Sequence, residues 1–166
     1  MPDSYFEKFS DKPVYIKPYD PKSKQIAVEY IALLKNLLKE FDVKILHRGS
    51  TAFGIAGKGD VEIGIFPSKE DWKLVVSKLR ERFGELGNIE DEYARFNDEK
   101  GGFEIEIILQ KGETAKIDIA LTNYLHGSPE LLKTYEEIKK KYSYSKREYQ
   151  IQKDKFLRSV INSMPE

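Results

Sequence analysis

The sequence predicts an α/β protein of the α+β kind, with a mixed, mostly antiparallel sheet of about five strands, flanking helices and a C-terminal helical cap. Three observations predict it: an apolar pattern of helical period at Lys22–Phe41, several short segments with alternating apolar residues, and a helical stretch after residue 122. The 166 residues suffice for one core, so we expect a single domain. It divides into an extended arm (1–20), a helix and sheet core (21–122) and the cap (123–166).

The elements of the first half follow from their apolar spacing. In Lys22–Phe41, apolar residues recur at helical spacing with charged residues between them, as in an amphipathic helix. Val43–Leu46 predicts a short strand. Asp60–Phe66 predicts a second strand, with large apolar residues on one face and two carboxylates on the other. A helix follows, with Ser68 as its N-cap and an end near Gly84.

The second half begins with three predicted antiparallel strands and ends with two helices. The strands, joined by glycine-containing turns, are Asn88–Arg95, Phe103–Gln110 and Thr114–Thr122. The helices cover Leu131–Tyr142, after a Ser-Pro-Glu start, and Lys146–Ser163. The run Lys139–Lys141 is open to two interpretations: a solvated helix face, or positive charge that the last helices supply to a bound anion.

The composition excludes several classes of function. The 28 basic and 28 acidic residues cancel, so no overall field indicates a nucleic-acid or membrane partner. The chain has no cysteine, which excludes disulfides, thiolate nucleophiles and cysteine-zinc sites. It also lacks a signal-peptide core and any run of about 18 apolar residues, the length typical of a membrane span. We therefore expect a cytoplasmic protein without a membrane partner.

Two neighbouring motifs predict metal-assisted phosphoryl chemistry. Gly49 and Ser50 follow the first strand, where glycine lets the backbone approach phosphate oxygens and serine adds a hydroxyl donor. Nine residues later, Asp60 and Glu62 stand two apart on a strand, so their carboxylates project from one face. Two Mg²⁺ or Mn²⁺ ions held there would neutralise charge at the attacked phosphorus and at the pyrophosphate that leaves a nucleoside triphosphate.

A third carboxylate is expected on a neighbouring strand to complete the metal site. Asp118 has apolar neighbours on both sides in the predicted strand Thr114–Thr122, and it is our choice as a catalytic residue and metal ligand. The alternative is Glu106. We rank it second because Glu104 and Glu106 together are more typical of the wet face of an amphipathic strand.

Four further side chains are candidates to contact the nucleotide or its phosphates. Lys58, Lys116 and Lys153 each offer a cation, and Lys116 shares the predicted strand face of Asp118. His47 lies shortly before the Gly-Ser pair and is within reach of a substrate there. A histidine at the end of a buried strand is as often a structural group, so both interpretations stay open for His47.

The motif spacing resembles that of the polymerase beta type of nucleotidyltransferase, except that Arg48 replaces the hydrophobic residue before the Gly-Ser pair. A closer resemblance, to the GrpB family within that superfamily, covers nearly the whole chain. The motifs that carry it are Pro18-Tyr19-Asp20-Pro21, His47-Arg48-Gly49-Ser50-Thr51, Tyr124-Leu125, Pro129-Glu130-Leu131, Tyr135, Lys139, Tyr149, Lys153 and Phe156-Leu157.

The resemblance implies a nucleotidyltransferase-like fold and the Mg²⁺-dependent transfer of a nucleoside monophosphate from a triphosphate such as ATP. The acceptor would carry a hydroxyl and be a small molecule, a protein or an RNA. This chain keeps acidic residues at 60, 62 and 118, where many relatives have lost the first, which implies a working enzyme. Thr122 and Asn123 replace an Arg and an Asp of the family, so a substrate contact by that Arg does not carry over. The alternative is a catalytically silent nucleotide-binding or accessory interaction module, since relatives occur fused to a coenzyme A pathway kinase.

Overall fold

The computed structural model describes residues 2–84 and 92–165. The strands within these ranges are β1 (Val43–Arg48), β2 (Val61–Pro67), β3 (Tyr93–Lys100) and β4 (Phe103–Gln110). The helices are α1 (Asp3–Phe6), α2 (Lys22–Leu37), α3 (Ser50–Phe53), α4 (Trp72–Phe83), α5 (Gly112–His126), α6 (Pro129–Lys141) and α7 (Lys146–Ser163). The predicted class, a mixed sheet with flanking helices and C-terminal helices, is confirmed.

The four strands of the described ranges form one sheet in the order β1-β2-β4-β3. β1 and β2 are antiparallel, β2 and β4 are parallel, and β3 and β4 form an antiparallel hairpin. The hairpin turn is Gly101-Gly102, with φ of +59° and +83°, as a two-residue type I′ turn requires. β3 begins at Tyr93, and the start predicted for it at Asn88 lies outside the described residues.

The predicted strand Thr114–Thr122 is wrong, because these residues belong to α5. Apolar residues at alternate positions suggested a strand, but the buried positions of α5 recur at helical spacing: Ala115, Leu121, Thr122 and Leu125. Ile117, part of the apparent alternation, remains 40% exposed. The C-terminal helical part therefore begins at Gly112 and not at the predicted boundary of residue 123. The sheet has four strands within residues 2–84 and 92–165, where about five were expected.

One face of the sheet packs on α2 and α4 to form the larger hydrophobic cluster. Its fully buried members include Leu34 of α2, Leu79 of α4 and Ile63 of β2. Side chains alternate along a strand. Because Val61 and Ile63 are buried on one face of β2, Glu62 between them points toward the opposite face. That opposite face of the sheet, under the C-terminal helices, is where the predicted carboxylates lie.

The C-terminal helices form a second cluster of their own. Tyr135 of α6 stacks on Phe156 of α7, with ring centroids 5.1 Å apart and planes 10° from parallel. Ser145 caps α7 by accepting a hydrogen bond from the Glu148 backbone N–H at 3.3 Å. Among residues 2–84 and 92–165, no helix is both long enough and apolar enough to cross a bilayer.

The N-terminal arm ties the helices to the loop between β1 and β2. Arg147 of α7 donates two 3.0 Å hydrogen bonds to the Asp11 carboxylate, and the Val14 backbone N–H donates to the Ser143 carbonyl at 2.7 Å. Farther along, Lys17 and Gly57 exchange backbone hydrogen bonds of 2.7 and 3.2 Å as an isolated bridge. The arm positions the loop that precedes Asp60, and Asp3–Phe6 forms the short helix α1 where the sequence predicted an extended arm over residues 1–20.

Candidate active site

A cavity of about 170 Å³ lies between the sheet and helices α5, α6 and α7. Its charged lining residues are Arg48, Lys58, Asp60, Glu62, Glu106, Asp118, Lys139 and Lys153, and Ser50 is among the uncharged polar residues that line it. Most of the residues predicted from sequence therefore share one cavity, although they come from five separate elements and loops. Arg48, which the sequence did not single out for the site, and Lys139, which it named only within the run Lys139–Lys141, also line the cavity.

The carboxylate side of the cavity is built on adjacent strands. Glu62 of β2 is paired in register with Arg48 of β1 and with Glu106 of β4. Asp60 immediately precedes β2. The carboxylate on the neighbouring strand is therefore Glu106, and the predicted strand placement of Asp118 is wrong. Asp118 reaches the same cavity from helix α5.

The Arg48 guanidinium lies between two of these carboxylates. Its Nε is 3.5 Å from Glu62 Oε2, and its Nη1 is 3.3 Å from Asp118 Oδ2. The same Nη1 donates a 2.9 Å hydrogen bond to the side-chain oxygen of Gln110. Burial by itself lowers the pKa of Arg48, but Glu62 and then Asp118 outweigh it, so the pKa is raised. Arg48 is thus held as a permanent cation. In a similar way, Glu106 forms an ion pair with Arg95 of β3.

Lysine side chains occupy the side of the cavity near the C-terminal helices. Lys139 is only 4% exposed, its Nζ donates to Ser50 Oγ, and it lies 4.5 Å from the Tyr135 ring centroid. Burial, followed by repulsion from Lys153, lowers the pKa of Lys139 to about 7. The Tyr135 oxygen, which outweighs burial, raises the pKa of Lys153. Lys58 completes the group, with its Nζ 6.0 Å from the Tyr149 ring centroid.

The position of Lys139 decides between the two interpretations of the run Lys139–Lys141. Lys140 and Lys141 are exposed, as a solvated face requires, whereas Lys139 points into the cavity. A signal was present in the sequence, because Lys139 stands four residues after the buried Tyr135 and therefore on the same helix face.

Glycine allows the loop between β1 and β2 to approach the carboxylates. Gly49 has φ of +81°, and a Cβ placed on it would lie 2.6 Å from Glu62 Oε2. A Cβ on Gly57 would lie 2.5 Å from Ser50 Oγ. A side chain at either position would displace Glu62 or Ser50, so the glycines set the distance between the loop and the polar groups of the cavity.

His47 and Lys116 do not line the cavity. The His47 Nε2 is 2.9 Å from Thr51 Oγ1, and this hydroxyl donates to the Asp60 carbonyl at 3.0 Å. Burial lowers the pKa of His47 to about 4, so at neutral pH it is an uncharged group that orders the loop. Lys116 is 76% exposed and pairs with Glu113. Lys116 does not share a face with Asp118, as was expected on a strand, because residues two apart on a helix point in different directions.

The donor set can be compared with what a magnesium ion requires. In the described ranges, no three or more His, Asp or Glu side chains are grouped closely enough to hold a metal ion by themselves, and the metal site at Asp60, Glu62 and Asp118 stays a prediction. Asp60 and Glu62 do supply the carboxylate oxygens that Mg²⁺ prefers. Mg²⁺ is usually bound by one or two carboxylates together with substrate phosphates. The residues therefore fit an ion that shares its ligands with a phosphate group.

A second cavity, of about 810 Å³, adjoins the first at Lys58 and Asp60. The N-terminal arm, the loop before β2 and the tip of the β3–β4 hairpin form its walls. Its polar walls carry both signs of charge, and two tyrosines of the arm, Tyr15 and Tyr19, line it. Asp60 therefore borders both cavities.

The family model described as GrpB protein matches residues 13–163. The chain belongs to the GrpB family. No curated protein matches it. The match covers both hydrophobic clusters and every cavity-lining residue, so the cavity is part of the family's domain.

Solved structures similar to this GrpB-family chain are distant in sequence. A cytoplasmic RNA terminal U-transferase is 14% identical with a TM-score of 0.49, over 81% of this chain and 40% of that one. The polymerase beta of Leishmania infantum in its ternary gap complex is 13% identical with a TM-score of 0.42, over 81% and 48%. The ternary P/T complex of the same polymerase is 12% identical with a TM-score of 0.44, over 98% of this chain and 76% of that one. The chain spans less than half the length of the first two of these structures.

Proposed function

We propose that the cavity binds a nucleoside triphosphate and that the protein transfers the nucleoside monophosphate to a hydroxyl acceptor. One observation carries the proposal: Ser50 and three lysines line the same cavity as Asp60 and Glu62. Cations and a hydroxyl donor suit the phosphate chain, and the carboxylates suit a divalent ion. The motif spacing that resembles the polymerase beta superfamily supports the same reaction.

The phosphate chain would lie along Ser50, Lys58, Lys139 and Lys153. Lys139 is buried at low cost while its pKa is near 7, because its ammonium can lose a proton. A bound phosphate oxygen would raise that pKa again and hold Lys139 as a cation. These lysines would stabilise the negative charge that develops on the leaving pyrophosphate, the usual way in which proteins assist phosphoryl transfer.

Asp60 and Glu62 would hold the divalent ions, two in the proposed site, with phosphate oxygens as further ligands. Such ions, Mg²⁺ or Mn²⁺, neutralise charge at the attacked phosphorus and lower the pKa of a hydroxyl next to them. The proton of the acceptor hydroxyl needs a base. We propose Glu106 for this role in place of Asp118, because Glu106 is the register neighbour of Glu62 on the parallel strand.

The acceptor would approach through the second cavity. In-line displacement requires the attacking oxygen to stand opposite the leaving pyrophosphate. The second cavity meets the first at Lys58 and Asp60, so an acceptor placed there reaches the phosphate group from the side of Asp60. Its tyrosines and mixed charges are compatible with a small molecule, a protein segment or an RNA end.

Calorimetry with ATP, GTP, CTP and UTP, with and without Mg²⁺, tests triphosphate binding, and pyrophosphate release tests turnover. We expect Lys139→Ala to weaken binding by about tenfold or more, because it removes a cation from the cavity, and the matched variant Lys116→Ala, off the cavity, to leave it unchanged. Asp60→Ala with Glu62→Ala should abolish pyrophosphate release and Mg²⁺-dependent binding. Intact Mg²⁺-dependent binding in the folded double variant would refute the assignment of these two carboxylates.

A second function, a nucleotide-binding module without catalysis, is favoured by one observation. Arg48 and Arg95 engage three of the four cavity carboxylates, Glu62, Asp118 and Glu106, and so reduce the negative charge available to metal ions. The assay adds cell extract as a source of acceptor. Tight triphosphate binding without pyrophosphate release under these conditions would support this function. Mass spectrometry of the extract for macromolecules with an added nucleotide would support transfer to a protein or RNA.

A further inference from the structure

We propose that Arg48 closes the carboxylate side of the cavity to free divalent ions, so that an ion enters only together with a nucleoside triphosphate. In this proposal Arg48 controls the access of metal to Glu62, and Asp118 is the positioning residue that holds Arg48 there. The inference rests on the proposed function for the identity of the nucleotide. Its first measurement, however, uses the metal alone.

The contacts of Arg48 fix it on the carboxylate that a metal ion would need. Nε and Nη1 approach Glu62 and Asp118 at 3.5 and 3.3 Å, and Nη1 also donates to Gln110 at 2.9 Å. The side chains of this triad are only 19%, 21% and 25% exposed for Arg48, Glu62 and Asp118, so water screens the pairing weakly. Arg48 is the last residue of β1 and is paired with Glu62 of the antiparallel neighbour β2, so the backbone register also holds the two side chains together.

A free divalent ion at Glu62 would have to displace a guanidinium or bind beside it. Both are unfavourable, because a partly buried carboxylate that loses one cation and accepts another gains little, and two adjacent cations repel. An ion that arrives on a triphosphate differs in two respects. It brings phosphate oxygens as ligands, and those oxygens offer the planar Arg48 fork a new anionic partner in place of Glu62.

Asp118 receives a defined role from this geometry. It lies on helix α5, not on the sheet, and its carboxylate contacts the Arg48 Nη1 that also binds Gln110. As a metal ligand, Asp118 would raise the affinity for free metal. As the residue that positions Arg48 on Glu62, it lowers that affinity. The two roles therefore predict opposite effects of the substitution Asp118→Asn.

The test is a titration with Mn²⁺ alone, followed by the electron paramagnetic resonance signal of unbound Mn²⁺. We expect weak binding by the native protein and binding tighter by about tenfold or more in Arg48→Leu, since a unit charge near the ion is removed. Asp118→Asn should also bind Mn²⁺ more tightly than the native protein. Arg158→Leu removes the same charge from an exposed pair on α7 and should match the native protein.

Two further variants distinguish the exclusion of free metal by the Arg48 cation from other effects of the substitution. Arg48→Lys keeps a cation at the same position and should keep free-metal binding weak, even if Arg48→Leu fails to fold by circular dichroism. Adding Glu62→Gln to Arg48→Leu should remove the gained Mn²⁺ affinity. Native protein that binds free Mn²⁺ as tightly as Arg48→Leu, or Asp118→Asn that binds it more weakly than native, would overturn the proposal.

A second titration adds a non-hydrolysable triphosphate to the native protein. We expect Mn²⁺ to bind at least about tenfold more tightly in its presence, because the phosphates supply ligands and release Glu62 from Arg48. If no triphosphate binds, the proposed function and the coupling to nucleotide both fail. The comparison of native protein with Arg48→Leu still decides whether Arg48 excludes free metal.

Discussion

Single side chains set the charge on the two sides of the cavity. Lys139 is buried beside Ser50, and Arg48 is half-buried between Glu62 and Asp118. The two residues differ in how far the sequence could predict their positions. The spacing of Lys139 from Tyr135 could have placed it on the buried helix face, but the register that brings Arg48 beside Glu62 depends on the sheet pairing and has no local signal.

Triphosphate affinity should depend on pH through Lys139. Burial and Lys153 lower the pKa of Lys139 to about 7, so the free protein loses this cation as the pH rises through neutrality. Binding of a polyanion should therefore weaken between pH 6 and pH 8 and should be accompanied by proton uptake near pH 8. Calorimetry in buffers of different ionisation enthalpy measures both. Lys139→Met should flatten the profile, and an unchanged profile in that variant would assign the effect elsewhere.

Gly49 and Gly84 form a matched pair for the loop that approaches the carboxylates. Both combine positive φ with extended ψ, +81° and −171° at Gly49 and +83° and 179° at Gly84, so alanine costs about 1–3 kcal/mol in backbone conformation at either site. At Gly49 the added Cβ also meets Glu62 at 2.6 Å, whereas at Gly84 nothing lies within 4 Å. We expect Gly49→Ala to lose about 1–3 kcal/mol more stability in chemical denaturation than Gly84→Ala. Equal losses would show that Glu62 moves away freely.

Helix α5 is the element for which the sequence predicted a strand, so Asp118 enters the site from a helix and not from the sheet. Its alternating isoleucines predicted a strand, yet the residues it buries against the other C-terminal helices follow the helical repeat. Helix and strand periods are hard to distinguish when an apolar stretch is short, and tertiary packing then decides. The consequence for function is that Asp118 and Lys116, predicted on one face, point in different directions and only Asp118 reaches the cavity.

The helical character of α5 predicts unequal costs for its apolar residues. Leu125 is fully buried, so Leu125→Ala should destabilise the protein by about 2–5 kcal/mol. Ile117 is 40% exposed, so Ile117→Gln should change the stability by roughly 0.5 kcal/mol. Urea denaturation of both variants measures the difference. A large loss at Ile117 would contradict the face that α5 presents to solvent.

The cavity joins parts of the chain that are distant in sequence. Its carboxylates come from the sheet and from α5, its lysines from the loop before β2, from α6 and from α7. The strands that carry Glu62 and Glu106 pack into the larger hydrophobic cluster, whereas α5, α6 and α7 pack into the second one. The N-terminal arm contacts α7 through Asp11–Arg147 and the loop before β2 through Lys17–Gly57. A ligand that fills the cavity would therefore stabilise the molecule as a whole.

Thermal unfolding should report this coupling between the two clusters. A non-hydrolysable triphosphate with Mg²⁺ at 100 times its Kd should stabilise the protein by about 2.7 kcal/mol, whereas Mg²⁺ alone should have little effect. Calorimetric melting of the native protein and of the pair Asp60→Asn with Glu62→Gln measures this. Stabilisation by Mg²⁺ alone that disappears in the double variant would contradict the exclusion of free metal by Arg48.

The sequence by itself determined the class of fold, most helix and strand positions, and the Gly49-Ser50 and Asp60-x-Glu62 motifs, because these follow from local spacing along the chain. Only the tertiary structure decided that Glu106 stands beside Glu62, that Asp118 lies on a helix, and that Lys139 and Arg48 line the cavity. The physical reason is that strand order, register and helix packing set which distant side chains meet, and these depend on burying the whole core together.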